Sequence, residues 1–231
     1  MNDSHLNGAT VVFDLDGTLI DTAPDLIHAV NHALAIAGYD AVPPSAVRPF
    51  IAFGGRRMLE ESIRVSGLHP DAEQVEDLFQ HFTDHYAANI AVDSRPYPGL
   101  LDALDHLGAK GARMGVCTNK RESLSRQLLA ALGMDHYFGA IVGRDTLSVY
   151  KPHPGHLTTT IERVGGRVER AVMIGDSTID TTAAKAAGVP AIAVSFGYPD
   201  QPIETLGGDV LIHGYGELLP ELKRLLDQRS H

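Results

Sequence analysis

The sequence contains a single cysteine, Cys117, and no tryptophan. One thiol excludes an intrachain disulfide, so the fold has to rest on packing, and a reducing compartment is the expected setting. Aromatic residues are scarce at 6%, which leaves the core to Ala, Val, Leu and Ile. Positive charge is also short: 19 basic residues face 29 acidic ones, for a formal net charge of −10. That deficit argues against nucleic acid and against anionic membranes as partners, since both are held by basic patches. No apolar run approaches the roughly 20 residues of a membrane span. The N-terminus MNDSHLNGAT has neither the basic nor the apolar segment of a secretory signal. A soluble, cytoplasmic protein is expected. A small anionic substrate stays open, because a few local groups can outweigh a global field.

What is present is enough for one large domain, or one domain with an insert: 231 residues, 44% of them hydrophobic. Residues 1–8 read as a loose polar tail. ATVVFDL (9–15) is a short β-branched run without alternation, the mark of a buried strand. From Pro24 to about position 92 every stretch has helical character, broken by Gly and Pro, and no strand-like run appears. After DSRPYPG (93–99) helices and strands alternate to the end of the chain. Such alternation predicts βαβ units and an open parallel sheet with helices on both faces.

In an open α/β sheet, ligands bind beyond the carboxyl ends of the strands. The residues found there are therefore informative. The first strand is followed by Asp14, Asp16, Gly17 and Thr18. ARMGVC is followed by Thr118 and Asn119. The third strand is followed, after a short loop, by YKPHP with Lys151. RAVMIG is followed by Asp176, Ser177 and, further on, Asp180. Carboxylates crowded on one sheet edge repel each other and need a cation, and an all-oxygen donor set suits Mg²⁺. A lysine and a threonine hydroxyl beside them suit a phosphate. Asp14 and Asp16, two apart on extended chain, would point the same way.

The stretches DLDGTLIDT, CTNK, KPHP and GDSTID resemble, in order and spacing, the four motifs of the haloacid dehalogenase superfamily, and the likeness spans nearly the whole chain. DTAPDL and the overall length are most similar to its phosphoglycolate phosphatase branch. The resemblance implies an α/β fold: a Rossmann-like doubly wound parallel sheet core, residues 1–20 and 93–231, with an inserted all-helical cap, residues 21–92. It also implies roles. Asp14 would be the nucleophile that forms an aspartyl-phosphate. Asp16 would be the general acid and then the general base. Thr118 would hold the phosphoryl oxygens with help from the Asn119 backbone. Lys151 would neutralise phosphate and tie down Asp14. Mg²⁺ would be bound by Asp14, Asp176 and the backbone carbonyl of Asp16, with Asp180 orienting Lys151 or a metal-bound water. Metal and lysine together would supply the electrostatic stabilisation.

The same resemblance narrows the chemistry. Asp16 is present, whereas the carbon–halogen hydrolases of the superfamily lack that aspartate. Residues 21–92 contain no lysine, which the phosphonate-cleaving branch needs for a Schiff base. Pro24 stands where the sugar phosphomutases carry a histidine. The expectation is a Mg²⁺-dependent phosphomonoesterase for a small phosphorylated metabolite, foremost 2-phosphoglycolate. Sugar phosphates, nucleotides or pyrophosphate are the alternatives, including a biosynthetic-cluster enzyme; a non-catalytic binding protein is the remote one. Monomer and homodimer both remain open. In FGGRRML (53–59), Arg56 and Arg57 open a helix after two glycines, an arrangement suited to a second anionic group on the substrate. Cys117 reads as a core residue, His153 as surface, LTTT (157–160) as a helix with an exposed polar face, and the twelve histidines as scattered.

Overall fold

The computed structural model describes residues 5–229. Its centre is a six-stranded, all-parallel sheet. The strands are β1 (Thr10–Phe13), β4 (Arg113–Cys117), β5 (Ala140–Val142), β6 (Ala171–Gly175), β7 (Ala191–Val194) and β8 (Val210–Ile212). They lie in the order β5-β4-β1-β6-β7-β8. β1 is central, with Phe13 opposite Val116 on one side and Ile174 on the other. All four of its residues are buried, which explains a run without alternation. Even so, the pleat still sorts them. Val11 and Phe13 join the larger core, and Val12 joins a smaller one with Cys117, Leu157, Ile161 and Met173.

Helices cover the sheet. α7 (Pro154–Arg163) and α8 (Thr178–Ala186) pack together on one face; α5 (Leu100–Ala109), α6 (Glu122–Ala131) and α9 (Leu218–Gln228) complete the layers. The chain leaves β1 to one side for β4 and β5, and later returns to its other side for β6 to β8. The sheet order therefore switches at β1, and a crevice opens at its carboxyl end.

The first crossing carries the helical segment α1 (Ala23–Ile36), α2 (Pro44–Val47), a 3₁₀ turn (Arg48–Phe53), α3 (Gly55–Val65) and α4 (Ala72–Ala88). α1 and α4 pack side by side. α4 begins with a capping box between Asp71 and Gln74. It buries Leu78, Phe82 and Tyr86 at four-residue spacing, a single stripe along one face. The two chain crossings are tied to each other. β2 (Ile20–Asp21) pairs antiparallel with β3 (Arg95–Pro96). Asp25, on the first turn of α1, is buried and accepts from the Asp93 and Ser94 amides (3.0 and 2.8 Å) and from the Ser94 hydroxyl (2.6 Å).

Four sequence expectations change. Of the tail, residues 1–4 lie outside the described residues, but Leu6 is buried and the Gly8 amide donates to Gly111 O, so apolar packing orders this part. Asp21 is in a strand, although none was expected from 21 to 92; a two-residue ladder is too short to leave a period in the sequence. In LTTT, Thr160 is buried and donates to His156 O, because α7 lies flat on the sheet. The histidines are not all scattered: α1 and α4 bring His32 and His85 into a stack with ring centroids 3.9 Å apart. Partial burial, His32 and His28 hold His85 below its ordinary range.

Asp25→Ala removes the acceptor of three donors at the return crossing. A loss of about 3 kcal/mol in unfolding free energy is expected, with faster hydrogen exchange at the amides of 93 and 94. Unchanged exchange there would show that Asp25 does not hold the crossing.

Candidate active site

The strand β1 stops at Phe13, and the chain turns through Leu15 and Asp16 before Ile20. Asp14 and Asp16 are thus not two residues of one extended strand, as the sequence suggests. They meet different cations. Asp14 accepts from Lys151 Nζ at 2.8 Å and from the Leu15 amide at 2.7 Å. Asp16 accepts from Lys120 Nζ at 2.9 Å and from the Thr22 hydroxyl at 2.7 Å. The turn needs Gly17: its φ is +80°, and a Cβ there would overlap the Asp176 carboxylate and the Tyr198 ring.

Lys151 is 1% exposed and bridges Asp14 to Asp180, whose oxygen lies 2.6 Å from Nζ. The second Asp180 oxygen accepts from the Ser177 hydroxyl and amide, capping α8. Asp176 follows β6 directly; it accepts from the Tyr198 amide at 2.6 Å and from Thr18 Oγ1 at 3.4 Å. Ligand atoms of Asp14, Asp176 and Asp180 all lie within 4.8 Å of each other. Burial pushes the Asp14 carboxyl up to about 7, against the pull of Lys151. Burial, then Asp180 and Asp14, raises Asp176 well above the usual carboxylate range. Lys151 is raised in turn: Asp14 and Asp180 outweigh the burial that opposes its charge.

Three carboxylates against one ammonium leave this cluster short of positive charge. Its donors are hard oxygens, buried and close together. That set fits a divalent cation of the Mg²⁺ kind. Among the described residues one other acid–histidine group could meet around an ion: Asp25, His28 and Asp93. Asp25 there is already engaged by the backbone of 93 and 94.

Thr118 is buried at the end of β4; its amide donates to Val142 O and its hydroxyl accepts from the Lys120 amide. The Asn119 side chain donates to Ala52 O of the helical segment and to Lys151 O, so it joins the segment to the site. Arg56 and Arg57 stand apart from the nucleophile, on the first turn of α3. Arg56 pairs with Glu76 and Glu60 and covers the Phe79 ring; Arg57 pairs with Glu61. Arg56 borders a cavity of about 200 Å³ between the helical segment and the sheet edge, whose wall includes Asp16, Lys120 and Tyr86. Arg57, with Arg56, borders a second, more open cleft beside Lys151. Cys117 lies in the smaller core, its sulfur 3.4 Å from His156 Nδ1, and burial pushes its thiol up to about 12. His153 is an exposed cap of α7.

Sequence reasoning gave no role to Lys120 or Tyr198. Lys120 was within reach of it: a lysine immediately after Thr118-Asn119 sits at a strand's carboxyl end. Tyr198 leaves no such signal. It follows β7, donates its hydroxyl to Asp21, and accepts from the Ala23 amide at 2.9 Å.

A doubly wound parallel sheet with a buried Asp14–Lys151–Asp180 bridge and a third carboxylate, Asp176, at its switch point sets the class: an α/β protein with an acidic ligand site at its strand ends. Residues 11–194 match the haloacid dehalogenase-like hydrolase family, and the chain belongs to it. It is 47% identical over 210 residues to a phosphoglycolate phosphatase of Caulobacter vibrioides, covering 91% of this chain and 89% of that one. It is 43% identical over 222 residues to one of Mesorhizobium japonicum, covering 96% and 98%. A crystal structure of a predicted phosphoglycolate phosphatase from Haemophilus somnus 129PT superposes with a TM-score of 0.87 at 27% identity, over 94% of this chain and 98% of that one. Like these relatives, the chain is a hydrolase of the phosphatase kind. Among the described residues no helix is long and apolar enough to cross a membrane.

Replacing Lys151 by Met keeps the volume and leaves Asp14 and Asp180 buried without their cation. The expected cost is about 3–5 kcal/mol at pH 8, and less at pH 6, where Asp14 takes up a proton instead. Urea unfolding at the two pH values reads the difference; equal costs would mean the carboxylates do not depend on Lys151.

Proposed function

We propose that the protein is a Mg²⁺-dependent phosphomonoesterase for 2-phosphoglycolate, acting through an aspartyl-phosphate on Asp14. The observation that carries this reading is the buried Asp14–Lys151–Asp180 bridge, with Asp176 beside it, at the switch point of the sheet. The substrate comes from the relatives, several of which bear that name at 41–47% identity.

Asp14 attacks phosphorus, and the bond to the ester oxygen breaks. Asp16 gives its proton to the departing oxygen. A water then attacks the aspartyl-phosphate, Asp16 takes the water's proton, and phosphate leaves with Asp14 restored. Thr118 and the Asn119 amide hold the phosphoryl oxygens, and Lys151 keeps Asp14 in line while balancing phosphate charge. Asp14, Asp176 and the Asp16 carbonyl would hold the Mg²⁺, whose charge stabilises the phosphoryl oxygens, and Asp180 positions Lys151. Residues 21–92 act as a cap over a core of 1–20 and 93–231. The paired crossings β2 and β3 serve as its hinge, and closure excludes bulk water. Arg56 and Arg57 are paired with Glu60, Glu76 and Glu61, so neither adds net positive charge at the mouth. The partner is a small phosphorylated metabolite.

Phosphate release from a panel of phosphate esters, with Mg²⁺ and with EDTA, tests this. Phosphoglycolate is expected to lead the panel, EDTA to stop release, and Asp14→Asn to abolish it. Release that survives Asp14→Asn would falsify the covalent route.

Mg²⁺ binds the ionised form of Asp14, a group pushed up to about 7. Metal binding should therefore release a proton below that pH and weaken by up to about tenfold per unit as pH falls further. Calorimetric titration of the apo protein with MgCl₂ at pH 6 and pH 8, in buffers of different ionisation enthalpy, is expected to show more proton release at pH 6 than at pH 8; equal release would show that Asp14 does not titrate between them.

A further inference from the structure

The 200 Å³ cavity beside Asp16 is lined by two residues that each carry a buried polar atom with no hydrogen-bond partner. One is the hydroxyl of Tyr86, a side chain 1% exposed; the other is Asn119 Oδ1. Interiors rarely leave such atoms unpaired, and these two also line the cavity, where a bound group can meet them. The two differ in kind. The Tyr86 hydroxyl can donate. Asn119 Oδ1 only accepts, because its amide nitrogen is committed to Ala52 O and Lys151 O.

Lys120 stands on the Tyr86 side. Its Nζ lies 4.4 Å from the Tyr86 ring centroid, donates to the two Asp16 oxygens at 2.9 and 3.2 Å, and also faces the Tyr86 oxygen, which leaves the O–H proton free to donate elsewhere. It is 8% exposed, whereas Arg56 is matched by glutamates at the rim and screened by solvent. A buried ammonium beside a spare O–H donor, within walls of Leu26, Ile51, Met58 and Phe82, is built for a compact anion. Asn119 Oδ1 repels that anion and so sets the side on which it lies. Burial pushes the phenol up to about 12, so it remains a donor at working pH.

We propose that Lys120 and Tyr86 form a carboxylate subsite that reads the non-transferred end of the substrate. The inference rests on the assignment of Asp16 as the acid at the leaving oxygen. Lys120 touches Asp16 directly. A carboxylate that reaches both Lys120 and Tyr86 therefore sits only a bond or two beyond that oxygen. The substrate class is a short phosphorylated 2-hydroxy acid, and longer esters carry their polar groups past the subsite. The substrate carboxylate competes with Asp16 for Lys120.

The test is inhibition by two phosphonates of equal length in the presence of MgCl₂. One is 3-phosphonopropionate, the methylene isostere of phosphoglycolate; the other is propylphosphonate, which lacks the carboxylate. Wild type is expected to bind the first at least about 10-fold more tightly. Tyr86→Phe keeps the ring under Lys120 and is expected to weaken 3-phosphonopropionate about 10-fold and propylphosphonate less than about 2-fold. Lys120→Gln is expected to erase the preference altogether. Thermal melting of both variants checks that they fold. Equal loss on the two phosphonates, or no preference in wild type, overturns the subsite. If wild type favours 3-phosphonopropionate and Tyr86→Phe removes that preference, the subsite stands even where phosphoglycolate proves a poor substrate; in that case the substrate given under Proposed function falls alone.

Discussion

The site depends on one buried ammonium. Lys151 reaches the sheet edge from the loop before α7 and joins Asp14, which follows β1, to Asp180, on the first turn of α8. Without it, two carboxylates would face each other in a desolvated place, and one or both would hold a proton. With it, Asp14 is fixed in direction, and Asp180 can cap its own helix through Ser177 while it holds the lysine. That ammonium acts on Asp176 only through its charge. The partners of Asp176 are the Tyr198 amide and Thr18, and the remaining negative charge gives the cluster its fitness for a divalent ion.

Tyr198 extends this constraint to the hinge. Its amide engages Asp176, while its hydroxyl engages Asp21 and the amide of Ala23 at the start of α1. One residue thus touches both the metal-ready carboxylate and the first crossing. Tyr215 fixes the neighbouring turn by donating to Thr18 O at 2.8 Å, and it packs with Phe196, which packs with Tyr97 at the other crossing. The close fit leaves room only for glycine at positions 17 and 197, where a Cβ would strike Asp176. Few aromatics occur in this chain, and several of them stand here.

The helical segment meets the site from above through a second lysine. Lys120 pairs with Asp16 and lies against the ring of Tyr86, the last residue of the buried stripe of α4. Asn119 bonds to Ala52 O, and Arg144 donates to Phe53 O at 3.0 Å. The strand ends of the sheet therefore position both the reacting groups and the segment that covers them.

The sequence alone determined the parallel sheet, the placement of Asp14, Thr118, Lys151 and Asp176 at its strand ends, and the helical insert. Those features follow from local periodicity and from the rule that ligands bind where strands finish, and both are written in short stretches of chain. Tertiary structure alone decided which carboxylate meets which cation. Asp14 and Asp16 look like an equivalent pair, yet the turn at Leu15 sends one to Lys151 and the other to Lys120. The stacking of His32 on His85, the tether of Asp25 to residues 93 and 94, and the reach of Tyr198 from hinge to Asp176 are likewise invisible in one dimension. Each joins residues far apart in the chain, and no spacing rule links them. Arg56 and Arg57 show the converse. The local pattern marked them as anion readers, but neutralising glutamates on α3 and α4 and the buried position of Lys120 emerged only when the helices packed.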